Sequence, residues 1–219
     1  MTQPSYQYTE FPERSRDELA ALYDTQAPTY RAQISFVDRY LGVGGMRRRL
    51  FAQAQGDVLD VACGTGENFQ HLPQSISSLT AVDLSPGMVT MAGNEARKLG
   101  LAATISVMDA GALDFPDSQF DTVITSLATC TFPDPIKALS EMARVCKPDG
   151  RILLVEHGRS RVKWMARLQD RFAHGQFNTH ACRWNQDSLA LVKASGLRVI
   201  EAQTRLFGIL HTIEAAPGR

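Results

Sequence analysis

Short apolar runs alternate with amphipathic segments along most of this chain. The runs are DVLDVAC, LTAVD, ATISVMD, FDTVITS and RILLVEH, and helix-like segments such as PGMVTMAGNEARKLG and DPIKALSEMARV follow the second and fourth of them. A further short helix is expected over Glu67–Leu72. This alternation predicts parallel strands joined by crossover helices. The last runs, LRVIEAQTRLF and GILHTIEAAP, predict a closing hairpin around Phe207–Gly208. The expected fold is α/β: a doubly wound, Rossmann-like sheet of about seven strands, mostly parallel, with helices on both faces.

The region before the first strand has a different pattern. We expect a helical arm or lid over residues 1–50 and a core over residues 51–219. Residues 1–13 predict a loose arm. Ser15, with Glu18 three residues later, predicts a helix start with a capping box. Pro28 interrupts the helical pattern and predicts two helices rather than one. Gly42, Gly44 and Gly45 predict a hinge before a further helix.

A basic, aromatic segment at residues 159–181 interrupts the alternation. Trp164, Leu168 and Phe172 fall on one helical face, among the basic residues Arg161, Lys163, Arg167 and Arg171. A helix packed on the core, or a lid over a pocket, is the favoured interpretation. Contact of residues 161–175 with a membrane surface is the alternative.

Composition narrows the function class only slightly. The formal net charge is zero, so electrostatics give no reason to expect a nucleic acid partner. No run approaches the roughly 18 apolar residues of a membrane span, and the polar, acid-bearing start is unlike a secretory signal. A cytoplasmic protein is therefore expected. The four cysteines lack metal-ligand spacing, so we expect free thiols and no metal site; they are Cys63, Cys130, Cys146 and Cys182.

A glycine-rich turn follows the first predicted strand. It runs from Asp60 through Gly64 and Gly66, and Asp83 ends the next strand. Glycines let a ligand approach the backbone, and a carboxylate at the end of the second strand can accept hydrogen bonds from ribose hydroxyls. A nicotinamide dinucleotide site would share these features. However, Phe69 stands where its third glycine is expected, and Asp60 would repel a pyrophosphate. A carboxylate there suits a positively charged ligand, such as S-adenosylmethionine.

Four stretches together resemble the class I methyltransferases that use S-adenosylmethionine. They are VLDVACGTGENF, AVDLSPGMVTMA, GALDFPDSQFDTVITS and EMARVCKPDGRILLVEHG. Within that class the chain is most similar to the ubiquinone/menaquinone (UbiE-type) branch and to the methyltransferase-like thiol methyltransferases of animals. The resemblance covers about residues 20–213 and implies S-adenosylmethionine as cofactor and S-adenosylhomocysteine as product. One departure is Ala62, where many relatives have glycine.

The resemblance assigns the cofactor-binding residues position by position. The turn, with Asp60, Ala62, Gly64, Thr65 and Gly66, would hold the methionyl part. Asp83 and Leu84 would bind ribose and adenine, and Met88 would pack on the adenine ring. The adenine edge would be contacted by Asp109 and Ala110, and the sulfonium would be bordered by Ser126 and Leu127.

The acceptor side is less defined. The stretch from Tyr23 to Tyr30 resembles the N-terminal segment that closes over the cofactor, so Tyr23 is expected at the cofactor and Tyr30 at the reacting groups. His157, just past the fifth strand, is the candidate general base. The resemblance allows a quinol, a phospholipid amine or an alkyl thiol as acceptor. An NAD-dependent oxidoreductase and a non-catalytic module that binds S-adenosylmethionine remain the alternatives.

Overall fold

The computed structural model describes residues 10–218, so most of the loose arm expected at residues 1–13 lies outside the described residues. The strands are β1 (Asp57–Val61), β2 (Ser78–Asp83), β3 (Ala103–Val107), β4 (Phe120–Ser126), β5 (Cys146–His157), β6 (Arg198–Arg205) and β7 (Leu210–Ala216). The helices are α1 (Arg16–Tyr40), α2 (Val43–Phe51), α3 (Pro86–Leu99), α4 (Pro135–Val145), α5 (Lys163–His180) and α6 (Ser188–Ala194).

The strands form one sheet in the order β3-β2-β1-β4-β5-β7-β6. Strands β1 to β5 pair in parallel, and β7 pairs antiparallel with both β5 and β6. This confirms the predicted fold class, including the closing hairpin. The chain reverses its direction of winding between β1 and β4. Sheets of this kind bind ligands beyond the carboxyl ends of the strands at such a switch point.

Helices cover both faces of the sheet and enclose two apolar cores. One core packs the inner side of α4, with Leu139 and Met142, against β1, β4 and β5. The other packs α2, with Met46 and Phe51, against the opposite face. Helix α2 crosses residue 50 and shares this core, and Val37 of α1 also packs against it. The predicted division into an arm and a core stays a prediction.

The expectation of two helices around Pro28 is wrong, because α1 is continuous from Arg16 to Tyr40. The predicted capping box of Ser15 and Glu18 begins this helix. Packing on both sides of Pro28 holds it together. On the N-terminal side, Asp24 Oδ1 accepts a hydrogen bond from the backbone of Gly87, at the start of α3. On the C-terminal side, Arg31 pairs with Glu95 of α3 at 2.6 Å. These contacts outweigh the single backbone hydrogen bond that a proline removes.

Two other local expectations are also corrected. The hinge reduces to Gly42, which has φ +76° and precedes α2, while Gly44 and Gly45 lie inside that helix. The helix expected over Glu67–Leu72 is a single 3₁₀ turn over Phe69–His71. Here the Phe69 ring packs against Gly66, where a β-carbon would lie 2.8 Å from a ring carbon. The glycine turn after β1 is therefore followed by a single 3₁₀ turn and not by an α-helix.

The face of α5 that contains Trp164, Leu168 and Phe172 is exposed, not packed on the core. The buried face carries Ala166, Gln169, Ala173 and Phe177. This second stripe also has helical spacing, and its alanines allow close approach. The interpretation from sequence favoured the larger side chains, which instead lie 50–66% exposed.

Candidate functional site

A cavity of about 670 Å³ lies at the carboxyl ends of β1 to β4. Most of the residues predicted to bind a cofactor line it: Tyr23, Ala62, Gly64, Asp83, Leu84, Met88, Asp109, Ala110, Ser126 and Leu127. We call it the first cavity. Its wall also includes Tyr30 and Met108, but not Asp60, Thr65 or Gly66.

The turn after β1 gives this cavity its shape. Gly64 and Gly66 have φ of +56° and +85°, in the left-handed region that favours glycine. A β-carbon at Gly64 would lie 3.5 Å from ring atom Cε1 of Tyr30, so the α1 tyrosine lies directly over the turn. Ala62 and Leu127 also have positive φ, +55° and +53°. Such strain costs roughly 1 kcal/mol per residue and is common at functional sites.

Asp83 ends β2 and faces the first cavity. Its Oδ2 accepts a hydrogen bond from the backbone of Gly64 at 2.9 Å, and its Oδ1 accepts one from Ser85 at 3.0 Å. Burial raises the pKa of Asp83 to about 6, although these backbone bonds oppose the shift. The carboxylate is therefore ionised at neutral pH, fixed in place, and still has lone pairs directed toward the cavity.

Asp60 lies beneath the turn rather than in the cavity wall. It is fully buried, and the Asn68 amide donates to both of its oxygens at 3.0 and 3.1 Å. Burial raises the pKa of Asp60 to about 8. Glu67, also buried, bonds to Thr65 within the same turn. Asp60 is therefore mostly protonated at neutral pH in this floor of the site, and the ionised carboxylate that faces the first cavity is Asp83.

A polar network missed by the sequence analysis supports this floor. Arg47 of α2 is buried; its Nη1 donates to both oxygens of Asp38, and its Nε donates to Ser126. Ser126 in turn donates to Asn68 Oδ1 at 2.8 Å, which orients the amide toward Asp60. The sequence held one signal for it, because Arg47 shares a helical face with the apolar Val43, Met46 and Leu50.

A second cavity of about 1320 Å³ adjoins the first. We call it the second cavity. Its lining is mainly apolar and comes from α1, α5 and the β6–β7 turn, including Ile34, Val37, Leu41, Trp184, Leu206, Ile209 and Leu210. Four residues line both cavities: Tyr23, Tyr30, Leu127 and Thr131. The two cavities therefore share a wall.

The two tyrosines of that wall are held by different means. The Tyr23 hydroxyl donates to the backbone carbonyl of His180 at 3.0 Å, which ties α1 to the end of α5. Tyr30 is enclosed, and burial raises the pKa of its phenol above the usual value. Because the phenol stays protonated at neutral pH, Tyr30 can donate a hydrogen bond but does not serve as a base.

His157 lines the second cavity and not the first, and it lies there beside two cysteines. Its Nε2 is 3.3 Å from Sγ of Cys182, which is 3.4 Å from Sγ of Cys130. The prediction of free thiols is confirmed for all four cysteines. The sequence analysis predicted no metal site from the spacing of the cysteines, and the fold brings together three possible ligand atoms that are distant in sequence.

The geometry also bears on the dinucleotide alternative. The ring of Phe69 fills the place of the third glycine, and a 3₁₀ turn follows β1 where a dinucleotide site needs a helix N-terminus. Both features disfavour pyrophosphate binding at the first cavity.

Comparison with known proteins agrees with this geometry. A family model described as a methyltransferase domain matches residues 59–154. The mitochondrial methyltransferase OMS1 of Saccharomyces cerevisiae is 31% identical over 88% of this chain and 45% of its own length. Phosphatidylethanolamine N-methyltransferase of Cereibacter sphaeroides is 36% identical over 51% of this chain and 57% of its own. Demethylmenaquinone methyltransferase of Renibacterium salmoninarum is 35% identical, with shares of 64% and 59%. The chain thus spans about half the length of these relatives.

Solved structures share the fold. The [4+2]-cyclase SpnF superimposes with a TM-score of 0.74 at 17% identity, over 94% of this chain and 98% of that one. At this identity the likeness concerns the fold alone, and function depends on the residues of the site.

Proposed function

The chain belongs to the class I S-adenosylmethionine-dependent methyltransferases, and on that premise we propose that it transfers a methyl group from S-adenosylmethionine to an apolar acceptor in the second cavity. The observation that carries the proposal is the wall shared by the two cavities, which sets the cavity lined by the predicted cofactor residues beside a larger, mostly apolar one. Such an arrangement suits direct transfer between two bound molecules, because alignment of the reactants supplies much of the rate enhancement.

The residues of the first cavity fit S-adenosylmethionine, and we assign its parts as follows. Asp83 would accept the ribose hydroxyls, with Leu84 and Met88 against adenine and Asp109 and Ala110 at its edge. Gly64 leaves room for the methionyl part, with Thr65 and Gly66 in the same turn and the buried Asp60 beneath it. Ser126 and Leu127 would border the sulfur. When bound, the cofactor supplies a methyl group already activated by its sulfonium.

Tyr23 and Tyr30 are proposed to align the acceptor with the cofactor. Both lie in the shared wall, and Tyr30, as a protonated phenol, would donate to an oxygen, nitrogen or sulfur of the acceptor. An amine or thiol acceptor would need little more than loss of its proton. A quinol carbon would need a base, and His157 in the second cavity is the candidate for that role.

We propose that the acceptor is a molecule with an apolar body. The three candidates are a quinol, a phospholipid amine and an alkyl thiol. Two relatives are named for demethylmenaquinone and for phosphatidylethanolamine, and both substrates carry long apolar chains. The apolar lining of the second cavity supports this class over small polar acceptors.

Transfer of a labelled methyl group tests the proposal. Purified protein would be incubated with methyl-labelled S-adenosylmethionine and one acceptor of each type: a reduced menaquinone precursor, phosphatidylethanolamine vesicles and octanethiol. We expect a labelled, solvent-extractable product with at least one of them, and inhibition by S-adenosylhomocysteine. Micromolar binding of the cofactor without turnover of any acceptor would instead favour a non-catalytic binding module.

We further propose that the protein acts at the cytoplasmic surface of an anionic membrane. Trp164, Leu168 and Phe172 lie exposed on one face of α5, among the exposed basic residues Arg161, Lys163, Arg167 and Arg171. Exposed apolar residues ringed by cations are typical of helices that lie in a membrane interface. Leu41 and Leu206 are also exposed and line the second cavity, so an acceptor could enter from the lipid side. Within residues 10–218, no helix is long and apolar enough to span a bilayer.

Replacing both Trp164 and Phe172 with serine is expected to lower vesicle affinity by about 100-fold. Each side chain would contribute roughly 1.5 kcal/mol on insertion, and each 1.4 kcal/mol is a factor of ten. Co-sedimentation with phosphatidylserine vesicles measures the change, and rising salt should weaken binding of the native chain. Ile200→Ser, at an exposed position on β6, is the matched control and should bind normally. Equal vesicle binding by the double variant and the native chain would contradict the assignment.

A further inference from the structure

Three side chains of the second cavity converge from separate segments of the chain. Cys130 lies in the loop after β4, His157 is the last residue of β5, and Cys182 follows α5. Their ligand atoms, two Sγ and Nε2, all lie within 4.8 Å of one another. The Sγ atoms are 3.4 Å apart, and Sγ of Cys182 is 3.3 Å from Nε2 of His157. Nothing in the proposed transfer to a quinol or an amine uses the two thiols.

We propose that Cys130, His157 and Cys182 form a Zn²⁺ site whose fourth coordination position opens into the second cavity. In tetrahedral sites Zn–S is about 2.3 Å and Zn–N about 2.0–2.1 Å, which separates neighbouring ligand atoms by about 3.6–3.8 Å. The two distances given above need to widen by only a few tenths of an ångström, and the third, between Sγ of Cys130 and Nε2 of His157, lies within 4.8 Å. Two thiolates and one imidazole are also the ligand types that this metal prefers.

The site is supported by contacts that do not involve the ligand atoms. The backbone N–H of Arg183 donates to the carbonyl of Cys130 at 3.0 Å, and the Arg183 guanidinium donates to the carbonyl of Phe132 at 2.7 Å. These bonds join the two cysteine-bearing segments.

The pattern of burial indicates an open site rather than a closed structural one. Cys130 is buried, His157 and Cys182 are partly exposed, and all three line the second cavity. Three protein ligands with one position free for a substrate characterise catalytic zinc. Two thiolates would neutralise the two positive charges of Zn²⁺. The bound ion would therefore not repel the guanidinium of the adjacent Arg183. Coordination would occupy the Nε2 lone pair that a general base needs, so the two roles of His157 are mutually exclusive.

A consequence for the acceptor rests on the proposed function. A thiol acceptor would complete the coordination sphere and release its proton to solvent. Its sulfur lone pair would then form a bond to the methyl carbon while the bond from that carbon to the donor sulfonium breaks. The electron pair of the broken bond stays on the donor sulfur, giving neutral S-adenosylhomocysteine. The thioether product is a weaker zinc ligand than a thiolate and would leave.

The test is metal binding by the reduced protein after chelator treatment, using equilibrium dialysis with Zn²⁺ and absorption of the Co²⁺-substituted protein. We expect one Zn²⁺ per chain, with tetrahedral Co²⁺ bands and thiolate charge-transfer absorption. Cys182→Ser and His157→Gln should each weaken binding at least about 100-fold, more than loss of an outer-shell partner does. Cys146→Ser removes a buried thiol elsewhere in the fold and should bind one Zn²⁺. Circular dichroism shows whether each variant is folded.

The proposal fails if the reduced native chain binds no Zn²⁺, or if folded Cys182→Ser and Cys146→Ser bind it equally well. Recovery of a Cys130–Cys182 disulfide peptide from native protein that binds no Zn²⁺ once reduced would likewise overturn it. Octanethiol should alter the Co²⁺ spectrum, whereas octyl methyl sulfide should not. Cofactor binding and methyl transfer to a quinol or an amine are measured with zinc-free protein, so failure of the proposed function and failure of the metal site give different results.

Discussion

Replacing Asp83 with alanine is expected to weaken S-adenosylmethionine binding by roughly 100-fold. A carboxylate that accepts two ribose hydroxyls makes two charge-assisted hydrogen bonds, each worth about 1.5–3 kcal/mol, and a loss of about 3 kcal/mol corresponds to two factors of ten. The same substitution removes the acceptors for the backbone N–H groups of Gly64 and Ser85, which loosens the turn. Titration calorimetry with S-adenosylmethionine and S-adenosylhomocysteine measures the effect.

Two comparisons separate a binding role of Asp83 from a structural one. Asp149→Ala, at an exposed acid near the start of β5, should bind the cofactor normally. Asp83→Asn keeps the size of the side chain but loses the charge, and should still bind at least about tenfold more weakly. Because the pKa of Asp83 is about 6 and the ionised form binds, affinity in the native chain should fall as the pH drops below 6. Unchanged affinity in a folded Asp83→Ala protein would remove Asp83 from the site.

Replacing Arg47 with methionine is expected to destabilise the protein by about 3 kcal/mol. Breaking a buried ion pair by removing one partner costs roughly 3–5 kcal/mol, and the lower figure applies because Asp38 keeps 17% of its side-chain surface exposed. For a domain of this size the melting temperature should fall by about 6–12 °C. Chemical or thermal unfolding followed by circular dichroism measures the change.

The neighbouring Arg48 offers a matched control, since it is exposed on the same helix and Arg48→Met should alter stability by less than about 0.5 kcal/mol. The double variant Arg47→Met/Asp38→Leu should be more stable than Arg47→Met, because it no longer leaves Asp38 unpaired. Equal stability of Arg47→Met and Arg48→Met would show that the network from Asp38 to Asp60 contributes nothing to the fold.

The sheet could be predicted from the sequence because its strands are short, apolar and bounded by clear turn residues. Each predicted strand from β1 to β7 is present, and the glycines and acids of the turn lie where the strand order requires them. The residues at the carboxyl ends of β2, β3 and β4 reach the first cavity for the same reason: parallel strands deliver them to one edge.

The remaining features depend on contacts between distant segments. Continuity of α1 through Pro28 depends on its packing against α3, which local propensity does not encode. The choice of buried face in α5 depends on which neighbour fits the small Ala166 and Ala173. The grouping of Cys130 with Cys182 needs the path of the chain after β5, and no spacing rule reports it. The burial of Arg47 also depends on contacts between distant segments. It had a signal in the sequence, however, because Arg47 shares a helical face with the apolar Val43, Met46 and Leu50.

A single helix closing both cavities has a kinetic consequence. Leu19 of α1 lines the first cavity, Ile34 and Val37 line the second, and Tyr23 and Tyr30 line both. Exposed Leu41 and Leu206 give the second cavity an opening of its own, so an acceptor that enters there after the donor would pack against Tyr23 and Tyr30 and hold α1 over the donor. Binding is therefore expected to follow a compulsory order, with the donor entering first and S-adenosylhomocysteine leaving last. Acceptor that rebinds before that departure would trap a dead-end complex, so excess acceptor should slow the steady-state rate rather than saturate it.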